Sequence, residues 1–199
     1  GGVFLSTNNG ASWTAVNNGL TNKKVYSMAV SGKNVFAGTY GGGVFLSTDN
    51  GTSWNPVNKG LPNKVIVSIG ASGNTIFASP MQGGIYRSTD NGTNWKTVSI
   101  PISSVTIFKY AVNGSAIYAG TSQGKVLVST NDGNSWSNIS TGLTSSYITS
   151  IVFNEVNIFA SSDEGVFLTT NNGTDWVSIA GELSNTEVTA LAANGTSVF

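Results

Sequence analysis

The sequence predicts an all-β fold, a five-bladed β-propeller of four-stranded antiparallel blades closed by strands from both termini. Three observations carry that expectation. The first is a motif, Ser/Thr-Thr-Asp/Asn-Asn/Asp-Gly-x-x-Trp, that occurs five times and places the five tryptophans at 13, 54, 95, 136 and 176, spaced by 41, 41, 41 and 40 residues. A fixed period of about 40 residues built from short strands is the signature of propeller blades rather than of helical repeats. The second is the content of each repeat, in which short β-branched and aromatic runs are bounded by Gly, Asn and Ser, as antiparallel strands with tight turns are. The third is the complementarity of the two ends.

Within one repeat the runs predict strands over 25–31, 34–39, 43–48 and 53–58. The column at 28 recurs as Ile69, Tyr110, Ile151 and Leu191, and the column at 36 as Phe77, Tyr118, Phe159 and Phe199. Position 29 stays small or modest, as Ala29, Gly70, Ala111, Val152 and Ala192, which suits the innermost strand of a blade. Residues 2–6 and 12–17 then read as strands three and four, and 186–193 and 196–199 as strands one and two. Joined, they make one blade, and a ring closed in this way has no exposed sheet edge. The 199 residues thus form one domain, with repeats near 1–40, 41–80, 81–122, 123–162 and 163–199. A rival reading is a five-repeat excerpt of a longer propeller, which requires the near-integer repeat count to be a coincidence.

Composition excludes several chemistries. Charged residues make up only 9%, and there is neither Cys nor His, so disulfides, thiolate metal sites and the usual neutral-pH proton shuttle are absent. No metal site or cofactor is expected. No apolar run approaches a membrane span, and the polar surface predicts a secreted or cell-surface protein. The net charge of zero hides an asymmetry: residues 1–100 carry seven basic and two acidic side chains, and residues 101–199 the reverse, +5 against −5. Such halves suit head-to-tail association of identical subunits. Few basic residues and no interleaved aromatic platform argue against nucleic acid.

The motif resembles the Asp-box, or bacterial neuraminidase repeat, over the whole chain. Ser47, Asp49, Gly51 and Trp54 fit the family pattern in full, and Ser88, Asp90, Gly92 and Trp95 depart only by Asn94 before the Trp. The other copies, Ser6-Asn8-Gly10-Trp13, Ser129-Asn131-Gly133-Trp136 and Thr169-Asn171-Gly173-Trp176, carry Asn where the family prefers Asp. The resemblance implies a propeller whose boxes form the hairpins between strands three and four, opposite the usual ligand face. The residue chemistry agrees with a structural role. Asn-Gly and Asp-Gly permit the positive φ of a tight hairpin, the Asp or Asn and the hydroxyl tie its amides, and the Trp packs beneath with its indole N–H on a carbonyl. Three Asn copies indicate that hydrogen-bond acceptance matters, not charge.

A sialidase-like activity, which the resemblance also raises, needs an arginine triad, and Arg87 is the single arginine. Other glycosidases need two facing carboxylates, whereas Asp163 and Glu164 are neighbours in one loop and should point apart. The connections between strands two and three are short. Their variable residues, Tyr40, Met81, Gln82, Gln123, Asp163 and Glu164, are the candidate ligand face. Asn113, Asn138 and Asn194 are the better glycosylation candidates among the Asn-x-Ser/Thr sequons. The sequence therefore reads as a non-enzymatic binding, adhesion or self-assembly module for a protein partner or itself. A carbohydrate-binding or carbohydrate-cleaving domain is the alternative.

Overall fold

The computed structural model describes residues 1–199 apart from Gln82, Glu155 and Val156. The chain divides into two compact units, Gly1–Val98 and Ser99–Phe199. The first begins with a two-stranded sheet of β1 (Phe4–Leu5) and β2 (Thr14–Ala15). It continues with two four-stranded antiparallel sheets. These are β3 (Val25–Ser31), β4 (Asn34–Thr39), β5 (Gly43–Ser47) and β6 (Asn55–Pro56), then β7 (Ile66–Ser72), β8 (Thr75–Pro80), β9 (Ile85–Ser88) and β10 (Lys96–Val98). The second unit repeats the plan with β11 (Ile107–Asn113), β12 (Ala116–Thr121), β13 (Val126–Ser129) and β14 (Ser137–Asn138), and with β15 (Ile148–Asn154), β16 (Asn157–Ser162), β17 (Gly165–Thr169) and β18 (Val177–Ser178). A short 3-10 turn at Gly181–Leu183 precedes a terminal pair, β19 (Ala193–Asn194) and β20 (Ser197–Val198).

All of these pairs are antiparallel neighbours in sequence order, the outcome that short turns impose. The expected strands at 25–31 and 34–39 are present as such. The fourth strand, expected over 53–58, is only Asn55–Pro56. Its ladder is cut short because the Trp54 amide donates to the carbonyl of Asn18 and Pro56 has no N–H to offer. The terminal elements are shorter than expected as well. The sheet holding β1 contains only β1 and β2, and the sheet holding β20 only β19 and β20, so the single blade expected from 2–6, 12–17, 186–193 and 196–199 is not formed as one sheet. The first strands β3, β7, β11 and β15 each have a register shift that alternation alone does not reveal, at Val25/Ser27, Ile66/Ser68, Ile107/Lys109 and Ile148/Ser150.

The core repeats with the sheets. Phe36 is buried with Val44, Ile66, Ile69, Ile76 and Trp95, and one array of equivalent positions recurs in the second unit as Tyr118 with Val126, Ile148, Ile151, Ile158 and Trp176. Adjacent innermost strands are tied by polar side chains. Ser27 Oγ accepts from Ile69 N at 3.0 Å, and Ser31 Oγ donates to the Gly73 carbonyl at 2.6 Å.

Candidate functional site

The hairpin after each third strand recurs with one local structure in all five copies. In each copy the residues at its tip are two consecutive left-handed residues, such as Asn50 at φ 57° and Gly51 at φ 86°, as a primed hairpin turn requires. Ser47 Oγ donates to Asp49 Oδ1 at 2.8 Å and accepts from Gly51 N at 2.7 Å, while Asp49 Oδ1 accepts from Ser53 N at 2.9 Å. Asn8, Asn131 and Asn171 reproduce that acceptor role through Oδ1. The second side-chain oxygen or nitrogen reaches four residues on, and here the copies differ. Asp49 accepts from the Ser53 hydroxyl and Asp90 from the Asn94 amide, whereas Asn8 and Asn131 donate to Ser12 and Ser135, and Asn171 donates to Asp175. The residue before the Trp thus matches the donor or acceptor it meets.

Hydrogen bonds to the charged form hold the Asp49 carboxyl below its ordinary range, with Ser53 the largest cause, and those from Asn94 do the same for Asp90. Each tryptophan for which the acceptor is seen reaches back one repeat: Trp54 Nε1 donates to the Val16 carbonyl at 2.8 Å, Trp95 to that of Val57 at 2.8 Å, and Trp176 to that of Ile139 at 2.6 Å. The hairpin is therefore a clamp between neighbouring sheets.

The candidate ligand-face residues lie in loops elsewhere. In the first unit Tyr40 is exposed beside Tyr26, ring centroids 5.5 Å apart, and the Lys24 ammonium lies 4.1 Å from the Tyr40 ring and 5.4 Å from that of Tyr26. That is a cation–π arrangement on an exposed aromatic pair. Asn22 braces it by donating to the Tyr40 carbonyl at 2.8 Å. Met81 is exposed, its amide bonded to the Val65 carbonyl at 2.9 Å. Gln82 lies outside the described residues.

In the second unit the Gln123 amide donates to the carbonyls of Ser103 and Ser104 at 3.1 and 3.3 Å. Asp163 Oδ1 accepts from the amides of Ser146 and Tyr147 at 3.0 and 3.4 Å, and Glu164 accepts from Thr144 Oγ1 at 2.7 Å. The two acids thus take different partners on one neighbouring loop. Tyr147 donates its phenol to Glu187 at 3.0 Å, and that bond, above all, pushes its pKa up. Lys24 with Tyr26, and Tyr147 with Glu187, escaped the sequence reading. Tyr147 and Glu187 stand 40 residues apart, one repeat, and that spacing was the available signal. Among the described residues no cluster of acids suits a metal ion, and no helix is long and apolar enough to cross a membrane.

Asn113, Asn138 and Asn194 are all exposed, each as the last residue of its strand, β11, β14 and β19.

Known proteins place this architecture. One match is the crystal structure of an ancestral GH74 enzyme, 22% identical, TM-score 0.67, covering 88% of this chain and 25% of that one. Another is the extracellular domain assigned to the one component system BT4673 of B. thetaiotaomicron, 17% identical, TM-score 0.70, covering 86% of this chain and 25% of that one. A third, YCF48 bound to D1 peptide, is 18% identical with TM-score 0.67 and covers 92% of this chain and 62% of that one. The chain thus spans about a quarter of the length of the first two. No curated protein matches it. The family model of the DUF6242 beta propeller domain matches residues 3–106, more than half of the sequence. With antiparallel four-stranded sheets repeating at the motif's period, the chain belongs to the DUF6242 beta propeller domain family.

Proposed function

We propose that this chain is a non-enzymatic, secreted or cell-surface propeller module whose Asp-box hairpins are structural and whose exposed loops and edges bind a protein partner or a second copy. The observation that carries this is the employment of the loop acids. Asp163 is spent on the amides of Ser146 and Tyr147 and Glu164 on Thr144, so both position a loop rather than face each other across a cleft. Tyr147 keeps its proton more firmly than a free tyrosine, the opposite of what a phenolate nucleophile needs. What the loops and the start of β3 offer outwards is contact surface, in Tyr40 and Met81 and in Tyr26. Two neighbours lend support: one is described as bound to a peptide and another as an extracellular domain.

One observation favours a second reading, carbohydrate binding. The exposed Tyr26 and Tyr40 rings around Lys24 form a surface on which a sugar ring could stack, and a neighbour is a GH74 enzyme. Immobilised protein presented with an array of extended peptides and an array of oligosaccharides separates the two, with Tyr40→Ala as the control in each. The expected result is peptide binding weakened by Tyr40→Ala or Met81→Ala, and no turnover of sialosides or aryl glycosides. Turnover that disappears in Asp163→Asn or Glu164→Gln overturns the non-enzymatic reading.

A further inference from the structure

Asparagine precedes glycine seven times in the chain, at Asn9, Asn18, Asn50, Asn91, Asn113, Asn172 and Asn194. In such a pair the glycine nitrogen can close a five-membered ring on the asparagine side-chain amide, because glycine has no Cβ to obstruct the approach. Whether it does so depends on how that nitrogen is held. Four of the pairs lie at the tips of the repeated hairpins, and there the nitrogen is engaged. Gly10, Gly51 and Gly92 donate to the hydroxyls of Ser6, Ser47 and Ser88 at 2.9, 2.7 and 2.9 Å, and Gly173 donates to that of Thr169 at 3.0 Å. Gly51, Gly92 and Gly173 are buried as well. The peptide unit of Asn18 and Gly19 is fixed through its carbonyl, which accepts from the Trp54 amide at 2.9 Å, and by the Trp54 carbonyl oxygen, 2.2 Å from where a Gly19 Cβ would stand.

The turn from β11 to β12 has none of these restraints. Asn113 pairs with Ala116, which leaves Gly114 and Ser115 as a two-residue loop with Gly114 at φ 59°. Positive φ at the first central residue is the II′ hairpin, and the amide of that residue points away from the ladder. Asn113, Gly114 and Ser115 are all exposed, and a Cβ on Gly114 would meet nothing within 4 Å, so a ring has room to form. Among the described residues neither the Asn113 side chain nor the Gly114 amide has a hydrogen-bond partner. The equivalent turns of the first unit carry serine instead, Ser31 before Gly32 and Ser72 before Gly73, and the Ser31 hydroxyl is tied to the Gly73 carbonyl at 2.6 Å. Asn194 and Gly195 repeat the Asn113 arrangement, with Gly195 at φ 55°.

We propose that Asn113 is a self-modifying site, at which the Gly114 nitrogen attacks the Asn113 side-chain amide. The new N–Cγ bond forms as the bond from Cγ to the amide nitrogen breaks, ammonia leaves, and a succinimide remains. Water then opens one or other carbonyl of the ring, giving aspartate or isoaspartate without any change of oxidation state. Either product adds a carboxylate to the half of the chain that already carries net −5. Either also destroys the Asn113-Gly114-Ser115 sequon, so a glycan and this reaction are alternative fates of one side chain. Isoaspartate lengthens the main chain by a methylene group beside a turn whose length sets the register of β11 on β12. The chemistry is independent of any partner, so its failure leaves the function proposed above untouched.

The whole chain, incubated at mildly alkaline pH, is digested at intervals, and the Asn-Gly peptides are followed by mass spectrometry, with the isoaspartyl form identified by its separate elution. In the folded protein the Asn113 peptide is expected to gain the mass of an amide-to-acid change roughly tenfold or more faster than those of Asn50, Asn91 and Asn172, whose glycine amides must first break a bond and open to solvent. Asn194 should keep pace with Asn113. In denaturant the rates should converge, because the restraints are gone and the residue pair is the same. Ser47→Ala, which frees the Gly51 amide, should speed Asn50 alone, and Asn113→Gln should abolish the fast conversion. The wild-type comparison needs no variant to fold. Three results overturn the proposal: an Asn113 that stays intact in the folded chain, hairpin asparagines that react as fast as Asn113, or a rate ratio that survives denaturation and so belongs to flanking sequence.

Discussion

At the residue scale, the repeated hairpin distributes stability unevenly among residues that look identical in sequence. Trp54 is buried and tethered to the Val16 carbonyl, so Trp54→Ala should cost about 3–5 kcal/mol, as other buried aromatic truncations do. The same change at the exposed Trp13 should cost under about 1 kcal/mol in the monomer, and thermal unfolding of the two variants checks it. The fourth-neighbour contacts yield a second prediction. Asn131→Asp is expected to be mild, because the Ser135 hydroxyl can turn from acceptor to donor. Asn171→Asp should lower the melting temperature more, because it sets a carboxylate against Asp175 where an amide now donates at 3.4 Å. Equal shifts would show that the pairing is irrelevant.

Acid dependence belongs to the same residues. The folded carboxyls of Asp49 and Asp90 titrate below their unfolded values, so their contribution is present above the ordinary carboxylate range and is lost as pH falls through the folded pKa. The difference in melting temperature between wild type and Asp49→Asn should therefore narrow below about pH 4. Denaturation scans from neutral to strongly acid pH measure it.

At the element scale, the loop before a sheet's first strand joins one sheet to the next, in addition to the polar ties between the innermost strands. Gly19 and Gly60 sit at positive φ, and a Cβ on either would stand 2.2 Å from the carbonyl oxygen of Trp54 or Trp95, while Asn18 and Lys59 accept from the amides of those tryptophans. Gly142 repeats this against Trp176 at 2.1 Å. A side chain there must push against backbone and adopt an unfavourable φ at once. Gly60→Ala should therefore destabilise by roughly 2 kcal/mol or more, against little effect from Gly32→Ala, where the added carbon meets nothing within 4 Å and only the φ cost remains. Chemical denaturation midpoints decide between them.

At the scale of the molecule, each unit repeats near-identical antiparallel sheets, and equivalent apolar positions differ in exposure from copy to copy. Trp13, Met28 and Phe199 are exposed, whereas their counterparts Trp54, Ile69 and Phe36 are buried. Exposed apolar patches of this kind mark surfaces that take a partner. A homogeneous preparation should accordingly scatter light as a concentration-dependent population at low salt. A single 20.5 kDa particle at every concentration would contradict that.

Much of this was legible in the sequence because it is local. Asn-Gly and Asp-Gly dictate the hairpins, alternation and bounding glycines dictate the strands at 25–31 and 34–39, and the spacing of the tryptophans dictates the repeat. The candidate loops at Tyr40, Met81, Gln123, Asp163 and Glu164 were legible as positions, but their partners Lys24, Tyr26, Ser146, Thr144 and Tyr147 were not. The outer strands shrank to two or three residues, the innermost strands took a register shift, and the terminal hairpins remained two-stranded. Each of these depends on which carbonyl lies opposite a given amide across a neighbouring sheet, such as Asn18 opposite Trp54. The sequence by itself determined the turns and the period, because both follow from backbone conformation within a few residues. Only the tertiary structure decided where ladders stop and which apolar faces stay uncovered, because hydrogen-bond satisfaction and burial are settled by whatever packs alongside.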